Sequence, residues 1–169
     1  MRIDIIGLPA TGKSTLAEAI SKKFSIPYIH LDRYWFEAAA HKTFKGSPER
    51  EKAQEKIKSQ VEPFINQDNW VSEGEHFWIQ SIIAPRATQI VFVDIPLWNR
   101  LLNHANRLFR RRDRHQELSL WDDFVFFWEI IKRTYTKRRK SQNFISKYKD
   151  KIVVLHSFKE IDDYLASLK

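Results

Sequence analysis

The chain has 169 residues, and its 29 Lys and Arg against 21 Asp and Glu give a formal net charge of +8. The length favours a single domain over residues 1–169, and a hydrophobic fraction of 43% with 14% aromatic residues excludes a disordered chain. The absence of cysteine excludes disulfides, thiolate metal sites and cysteine nucleophiles.

Strand patterns and helix patterns alternate along the chain, which is typical of an α/β domain with a parallel sheet. Short apolar runs predict five strands, at residues 3–6, 27–31, 70–73, 89–95 and 152–155. Apolar residues at helical spacing predict helices over residues 14–24, 48–67, 97–112, 118–148 and 158–168. The polar segment 37–47 is predicted to be a loop. Together these elements predict a three-layer αβα sandwich.

The positive charge is concentrated in one third of the chain. Residues 100–151 hold 15 Lys and Arg against 6 Asp and Glu, whereas the rest of the chain is close to neutral. The excess indicates a phosphate-rich partner. No run approaches the roughly 20 apolar residues that cross a bilayer, and Asp4 and Pro9 interrupt the first apolar run, so we expect no membrane partner and a cytoplasmic location.

Residues 7–14, GLPATGKS, match the phosphate-loop pattern G-x-x-x-x-G-K-[ST] between a predicted strand and a predicted helix. In such a loop, backbone N–H groups converge on phosphate, a lysine reaches the β- and γ-phosphates, and a hydroxyl binds Mg²⁺. A chance match is the alternative, and the strand–loop–helix setting favours ATP with Mg²⁺. The predicted nucleotide-binding residues are Gly7, Leu8, Pro9, Ala10, Thr11, Gly12, Lys13, Ser14 and Thr15.

The ordered segments GLPATGKST, IPYIHLD with Trp35 close behind, NWVSEG, IVFVDIP, NRLFRRR and KIVVLHS resemble the adenylate-kinase-like P-loop proteins. Within these, the chain is most similar to the topology modulation proteins, small relatives of shikimate, gluconate and nucleoside monophosphate kinases. The resemblance implies a five-stranded parallel sheet of order 2-3-1-4-5. It also implies an acceptor-binding region after strands two and three, and a mobile helical, arginine-bearing lid, which falls at about residues 100–150.

Three carboxylates follow predicted strands, where open α/β sheets bind ligands. Asp32 is expected to orient or deprotonate an acceptor hydroxyl, as the resemblance implies, with a helix N-cap as the alternative. Glu73 is expected to bind the acceptor or to hold a water on Mg²⁺. Asp94 is a second candidate for that water, with a structural cap as the alternative. Glu73-Gly74 stands where the family usually has Asp-Gly.

The basic region supplies the candidate lid residues. Asn103, Arg107 and Arg111 share a helix face, distinct from that of Leu101 and Ala105. Guanidinium groups match phosphate oxygens, so Arg107 and Arg111 are predicted to contact the nucleotide phosphates, and a solvated basic face is the alternative. Arg138 is a candidate for acceptor binding. Downstream, an aromatic stripe is predicted to pack in the core: Trp121, Phe124, Val125, Trp128, Ile131 and Tyr135.

The leading hypothesis is an ATP- and Mg²⁺-dependent phosphotransferase acting on a small hydroxyl- or phosphate-bearing acceptor such as a nucleoside or nucleotide. Lys13, Asp32, Arg107 and Arg111 are the catalytic candidates, and Ser14 is the metal ligand. One alternative is a regulatory protein or slow NTPase whose basic region contacts DNA or RNA, and this is the less favoured partner. Another is a degenerate kinase that only binds nucleotide. The six histidines show no metal-ligand spacing, so no structural metal is predicted.

Overall fold

The structure, a computed structural model, describes residues 1–112 and 120–169. Side chains are described for these residues except 107–112, 120–123, 126, 129 and 137–139. Its five strands form one parallel sheet of order β2-β3-β1-β4-β5, which confirms the predicted α/β three-layer fold and the strand order. The strands are β1 (Arg2–Gly7), β2 (Tyr28–His30), β3 (Trp70–Glu73), β4 (Gln89–Val93) and β5 (Ile152–Leu155).

The helices are α1 (Lys13–Phe24), α2 (Leu31–Glu37), α3 (Pro48–Ile65), α4 (Phe77–Arg86), α5 (Leu97–Arg112), α6 (Leu120–Lys147) and α7 (Phe158–Ser167). Single 3₁₀ turns lie at Ala40–Lys42 and Lys149–Lys151. Two of these helices correct the sequence analysis. Helix α2 fills the interval between a strand predicted to end at Leu31 and a loop predicted to begin at Glu37, for which no helix was predicted, and α4 was not predicted. Within the described ranges, no helix combines the length and the apolar character that a membrane span requires.

The chain divides into two compact units. The first contains Met1–Ile6 and Ser14–Val91, and the second contains Gly7–Lys13 and Phe92–Lys169. In the first unit, β1 pairs with β3 in a register that sets Asp4 beside Ser72. Asp4 is fully buried, and its Oδ1 accepts hydrogen bonds from Ser72 Oγ (2.7 Å) and Gln80 Nε2 (3.3 Å). These donors satisfy a carboxylate whose burial in a central strand would otherwise be costly.

In helix α3, the local sequence signals and the structure agree. Ser47 accepts a hydrogen bond from the backbone N–H of Arg50, and Pro48 occupies the first turn, where its missing N–H has no helical partner to lose. One narrow stripe of α3 is buried and the remaining faces are largely charged, which is typical of a surface helix. The buried residues are Ala53, Ile57, Val61 and Ile65.

Helix α6 contradicts the predicted core stripe. Phe124, Trp128 and Tyr135 are 53, 55 and 74% exposed. Among the side chains of α6 that the structure describes, the buried ones are instead Ile130 and Ser141, which lie three turns apart on one face. Trp121 of the predicted stripe lies outside the described side chains.

Gly7 is the last residue of β1 and belongs to the second unit. Its φ is +148°, and a Cβ at this position would lie 2.4 Å from the carbonyl oxygen of Val93. We expect Gly7→Ala to lower the free energy of unfolding by about 3 kcal/mol, because the clash is with backbone and adds to strain in φ. Gly46 is the matched control. Its φ is +84°, but a Cβ there meets nothing within 4 Å, so Gly46→Ala should cost only about 1 kcal/mol. Urea unfolding of both variants gives the comparison, and equal losses would contradict the steric account.

Candidate functional site

The phosphate loop lies between the end of β1 at Gly7 and the start of α1 at Lys13, which is the setting that its motif requires. Lys13 is 8% exposed, and its Nζ donates a hydrogen bond to the carbonyl oxygen of Leu8 at 2.8 Å. The hydroxyl of Thr11 donates to the same oxygen at 2.9 Å. The ammonium group therefore lies folded against its own loop, at the positive end of α1.

Two side chains of α5 bind the next carbonyls of the loop, within the same unit. Arg100 Nη1 lies 3.5 Å from the carbonyl oxygen of Pro9, and Asn103 Nδ2 donates to that of Ala10 at 3.0 Å. Arg100 is only 1% exposed and also binds Ile95 O through Nε (3.0 Å) and Thr134 Oγ1 through Nη2 (2.6 Å). The guanidinium group thus joins the loop to the segment between β4 and α5 and to the middle of α6.

A second group of polar residues lies at the ends of β2 and β3, in the first unit. Glu73 is buried, and its Oε2 lies 3.3 Å from His30 Nε2 and accepts a hydrogen bond from the Tyr28 hydroxyl at 3.4 Å. Register explains the convergence, because β2 and β3 pair with His30 beside Glu73. Burial, and next the negative charge of Glu73, raise the pKa of Tyr28, so that its phenol stays a hydrogen-bond donor to this carboxylate.

Asp32 lies in the first turn of α2, two residues beyond the end of β2. Its Oδ1 is 2.6 Å from His76 Nε2, and the His76 ring packs against Trp35 at 5.0 Å between centroids. The N-cap of α2 is His30, whose Nδ1 accepts the backbone N–H of Arg33 at 3.2 Å. The alternative role of Asp32 as a helix N-cap is therefore wrong, and its carboxylate is held by a histidine from the segment after β3.

His30, Asp32 and Glu73 bring one ligand atom each within 4.8 Å of one another, a spacing that suits a metal ion. The hydrogen bonding of His30 opposes that use. Because Nδ1 accepts a backbone N–H, the neutral imidazole carries its proton on Nε2, the nitrogen that faces Glu73. The cluster is accordingly an arrangement of two histidine–carboxylate pairs, His30 with Glu73 and Asp32 with His76.

The predicted residues that remain are Asp94, Arg107, Arg111 and Arg138. Asp94 follows β4, is half exposed, and lies 3.9 Å from His156, while its backbone N–H donates to Leu155 O at 2.8 Å. Arg107 and Arg111 lie on α5 and Arg138 on α6, but their side chains are outside the described residues. The roles of these four residues stay predictions.

Four residues of these groups were not predicted: Tyr28, His30, His76 and Arg100. His30 is the last residue of β2, and Asp32 follows it two positions later. That spacing was the available signal for His30. His76 meets Asp32 across 44 positions of sequence, which no local pattern reveals. Arg100 precedes Asn103 by three residues, one helical turn, so the predicted polar face of α5 already contained its position.

The strand order and the phosphate loop after β1 belong to an α/β three-layer fold with a five-stranded parallel sheet. The chain is similar to the solved structure of a shikimate kinase from Bacteroides thetaiotaomicron, with a TM-score of 0.58 and 18% identity over 98% of this chain and 94% of that one. It is also similar to a gluconokinase from Sinorhizobium meliloti 1021, with a TM-score of 0.55 and 13% identity over 98% of this chain and 91% of that one. At such identities the likeness shows a common fold. No protein-family model matches the sequence, and no curated protein matches it.

Proposed function

We propose that the protein is a phosphotransferase that moves the γ-phosphoryl group of ATP to a small hydroxyl- or phosphate-bearing acceptor. The observation that carries the proposal is a phosphate loop with a buried lysine, Lys13, at the end of the central strand of a fold shared with two small-molecule kinases. In this function Lys13 offsets the charge on the β- and γ-phosphates. We also propose that the protein is related to the topology modulation proteins and that it is located in the cytoplasm.

The residues of the loop suit a triphosphate. The carbonyl oxygens of Leu8, Pro9 and Ala10 are all occupied by side-chain donors, which leaves the loop to present N–H groups to an anion. Ser14 would hold Mg²⁺, with Glu73 or Asp94 acting through water, and the bound ion would neutralise part of the phosphate charge. Arg107 and Arg111 are the candidates for closing over the phosphates.

Asp32 is proposed to receive the acceptor proton. The Asp32 carboxylate is the candidate base, and His76 Nε2 lies 2.6 Å from its Oδ1 and orients it. The neighbouring Glu73, with its Tyr28 and His30 partners, supplies polar groups that would bind further hydroxyls of an acceptor. Both carboxylates are held by side-chain partners, and such preorganised groups do not need to reorganise when the substrate binds.

The test is ADP formation from Mg-ATP in the presence of a panel of nucleosides, nucleotides, small polyols and sugar acids. We expect one class of acceptor to raise the rate about tenfold or more above the rate in buffer, because a kinase favours transfer over hydrolysis by excluding water. A slow ADP release that no acceptor accelerates would instead indicate an NTPase or a nucleotide-binding protein.

A further inference from the structure

Three successive carbonyl groups of the phosphate loop are bound by side chains. Leu8 O is bound from within the loop, by Thr11 and Lys13. The oxygens of Pro9 and Ala10 are instead bound by Arg100 and Asn103 of α5. The phosphate motif therefore accounts for the first of these carbonyls, and residues 91 and 93 positions away account for the next two.

Because of peptide geometry, these carbonyl contacts also fix the direction of the neighbouring N–H groups. Every peptide bond of the described chain is trans, so the C=O and N–H of one peptide point in opposite directions. The oxygen of Pro9 shares its peptide with the N–H of Ala10, and the oxygen of Ala10 shares its peptide with the N–H of Thr11. Holding both oxygens toward α5 therefore directs both N–H groups away from it.

Ala10 is the residue that most needs such support. Its φ is +63°, in the left-handed region that a side chain with a Cβ disfavours. The peptide on its carboxyl side carries the oxygen that Asn103 binds. A strained conformation persists where its surroundings fix it, and here a single side-chain amide from α5 fixes it directly.

We propose that Arg100 and Asn103 are positioning residues that hold the phosphate loop in its phosphate-binding conformation from behind. Arg100 is suited to this role because it is buried and also donates hydrogen bonds to Ile95 O and Thr134 Oγ1. These contacts fix the orientation of its guanidinium group. Asn103 supplies the contact at the strained residue. The inference rests on the proposed nucleotide-binding function, and neither residue belongs to the phosphate motif.

The experiment measures the affinity for Mg-ATP by calorimetry in wild type, N103A, A10G and the N103A/A10G double variant. Loss of one hydrogen bond that orients the loop should weaken Mg-ATP binding about tenfold in N103A. Glycine removes the left-handed strain, so the same Asn103 change should cost no more than about twofold in the A10G background. Asn99→Ala, at an exposed position on α5, is the matched control and should bind as wild type does.

A second measurement separates this inference from the proposed function. In the nucleotide-free protein, the NMR amide signals of Ala10 and Thr11 should shift or broaden in N103A and remain unchanged in N99A. Wild type that does not bind Mg-ATP would refute nucleotide binding, while the amide signals would still report on Asn103. Equal Mg-ATP affinities for wild type and N103A, equal losses in both backgrounds, or unchanged amide signals would overturn the positioning role.

Discussion

Replacing Lys13 by methionine is expected to lower acceptor-dependent ADP formation about a thousandfold, the scale seen when a group that stabilises transition-state charge is removed. Lys13 is buried within the loop, and its Nζ is the only ionised donor in the segment 7–14. The fold should survive, because Leu8 O keeps its hydrogen bond from the Thr11 hydroxyl. We expect the free energy of unfolding to fall by less than about 1.5 kcal/mol.

The matched control for Lys13 is Lys22→Met, an exposed lysine in the last turn of the same helix, which should leave the rate unchanged. Steady-state kinetics and urea unfolding on both variants provide the comparison. A Lys13→Met protein that is folded and retains more than about a tenth of the activity would show that the phosphate loop does not carry out the chemistry.

Replacing Asp32 by asparagine is expected to lower acceptor-dependent ADP formation by a factor of about 10² to 10³ while leaving the dissociation constant for Mg-ATP unchanged. Asparagine keeps the size of the side chain and can still accept a hydrogen bond from His76 Nε2, but it cannot take a proton from the acceptor. The effect should therefore fall on kcat, and the pH dependence of the residual rate should be flatter.

Asp68→Asn serves as the control for Asp32, because Asp68 is exposed in the turn between α3 and β3. It should match wild type in kcat, in KM and in ATP affinity. If Asp32→Asn instead weakened Mg-ATP binding and left kcat intact, the carboxylate would belong to the nucleotide site, and the assignment of an acceptor-side base would be wrong.

The sequence contained enough to predict the sheet because each strand is a short local signal. Residues 90–93 are a continuous apolar run and residues 3–6 are apolar except for Asp4, which is typical of strands buried on both faces. The phosphate loop is likewise a contiguous motif, and its flanking strand and helix were predicted with it. The strand order, by contrast, came from the family resemblance, because apolar runs alone do not specify which strands are neighbours.

Helices α2 and α4 escaped prediction because their local signals are weak. Helix α2 has only seven residues, buries only Leu31, and begins at a histidine cap, an uncommon choice. Helix α4 contains Pro85, and its N-cap residue His76 makes no side-chain capping bond. Tertiary packing, rather than intrinsic helix propensity, holds such short segments in helical form.

The candidate site was only partly predictable for a related reason. Position at a strand end was sufficient to single out Asp32 and Glu73. Glu73 meets His30 through the pairing of β2 with β3, whereas Asp32 meets His76 in the segments that follow those strands. In the sequence, Arg100 is one of several basic residues of the helix 97–112. Its burial against the loop depends on the position of α5 in the fold. Contacts of this kind are set by tertiary structure and leave no spacing rule in the sequence.

The central claim, phosphoryl transfer to a small acceptor, is tested most directly by following the label of [γ-³²P]ATP in the presence of Mg²⁺ and the acceptor panel. We expect the label to appear in an organic phosphoester with one class of acceptor, and we expect Lys13→Met to abolish this product. Label recovered only as inorganic phosphate, at the same rate with and without every acceptor, would contradict it.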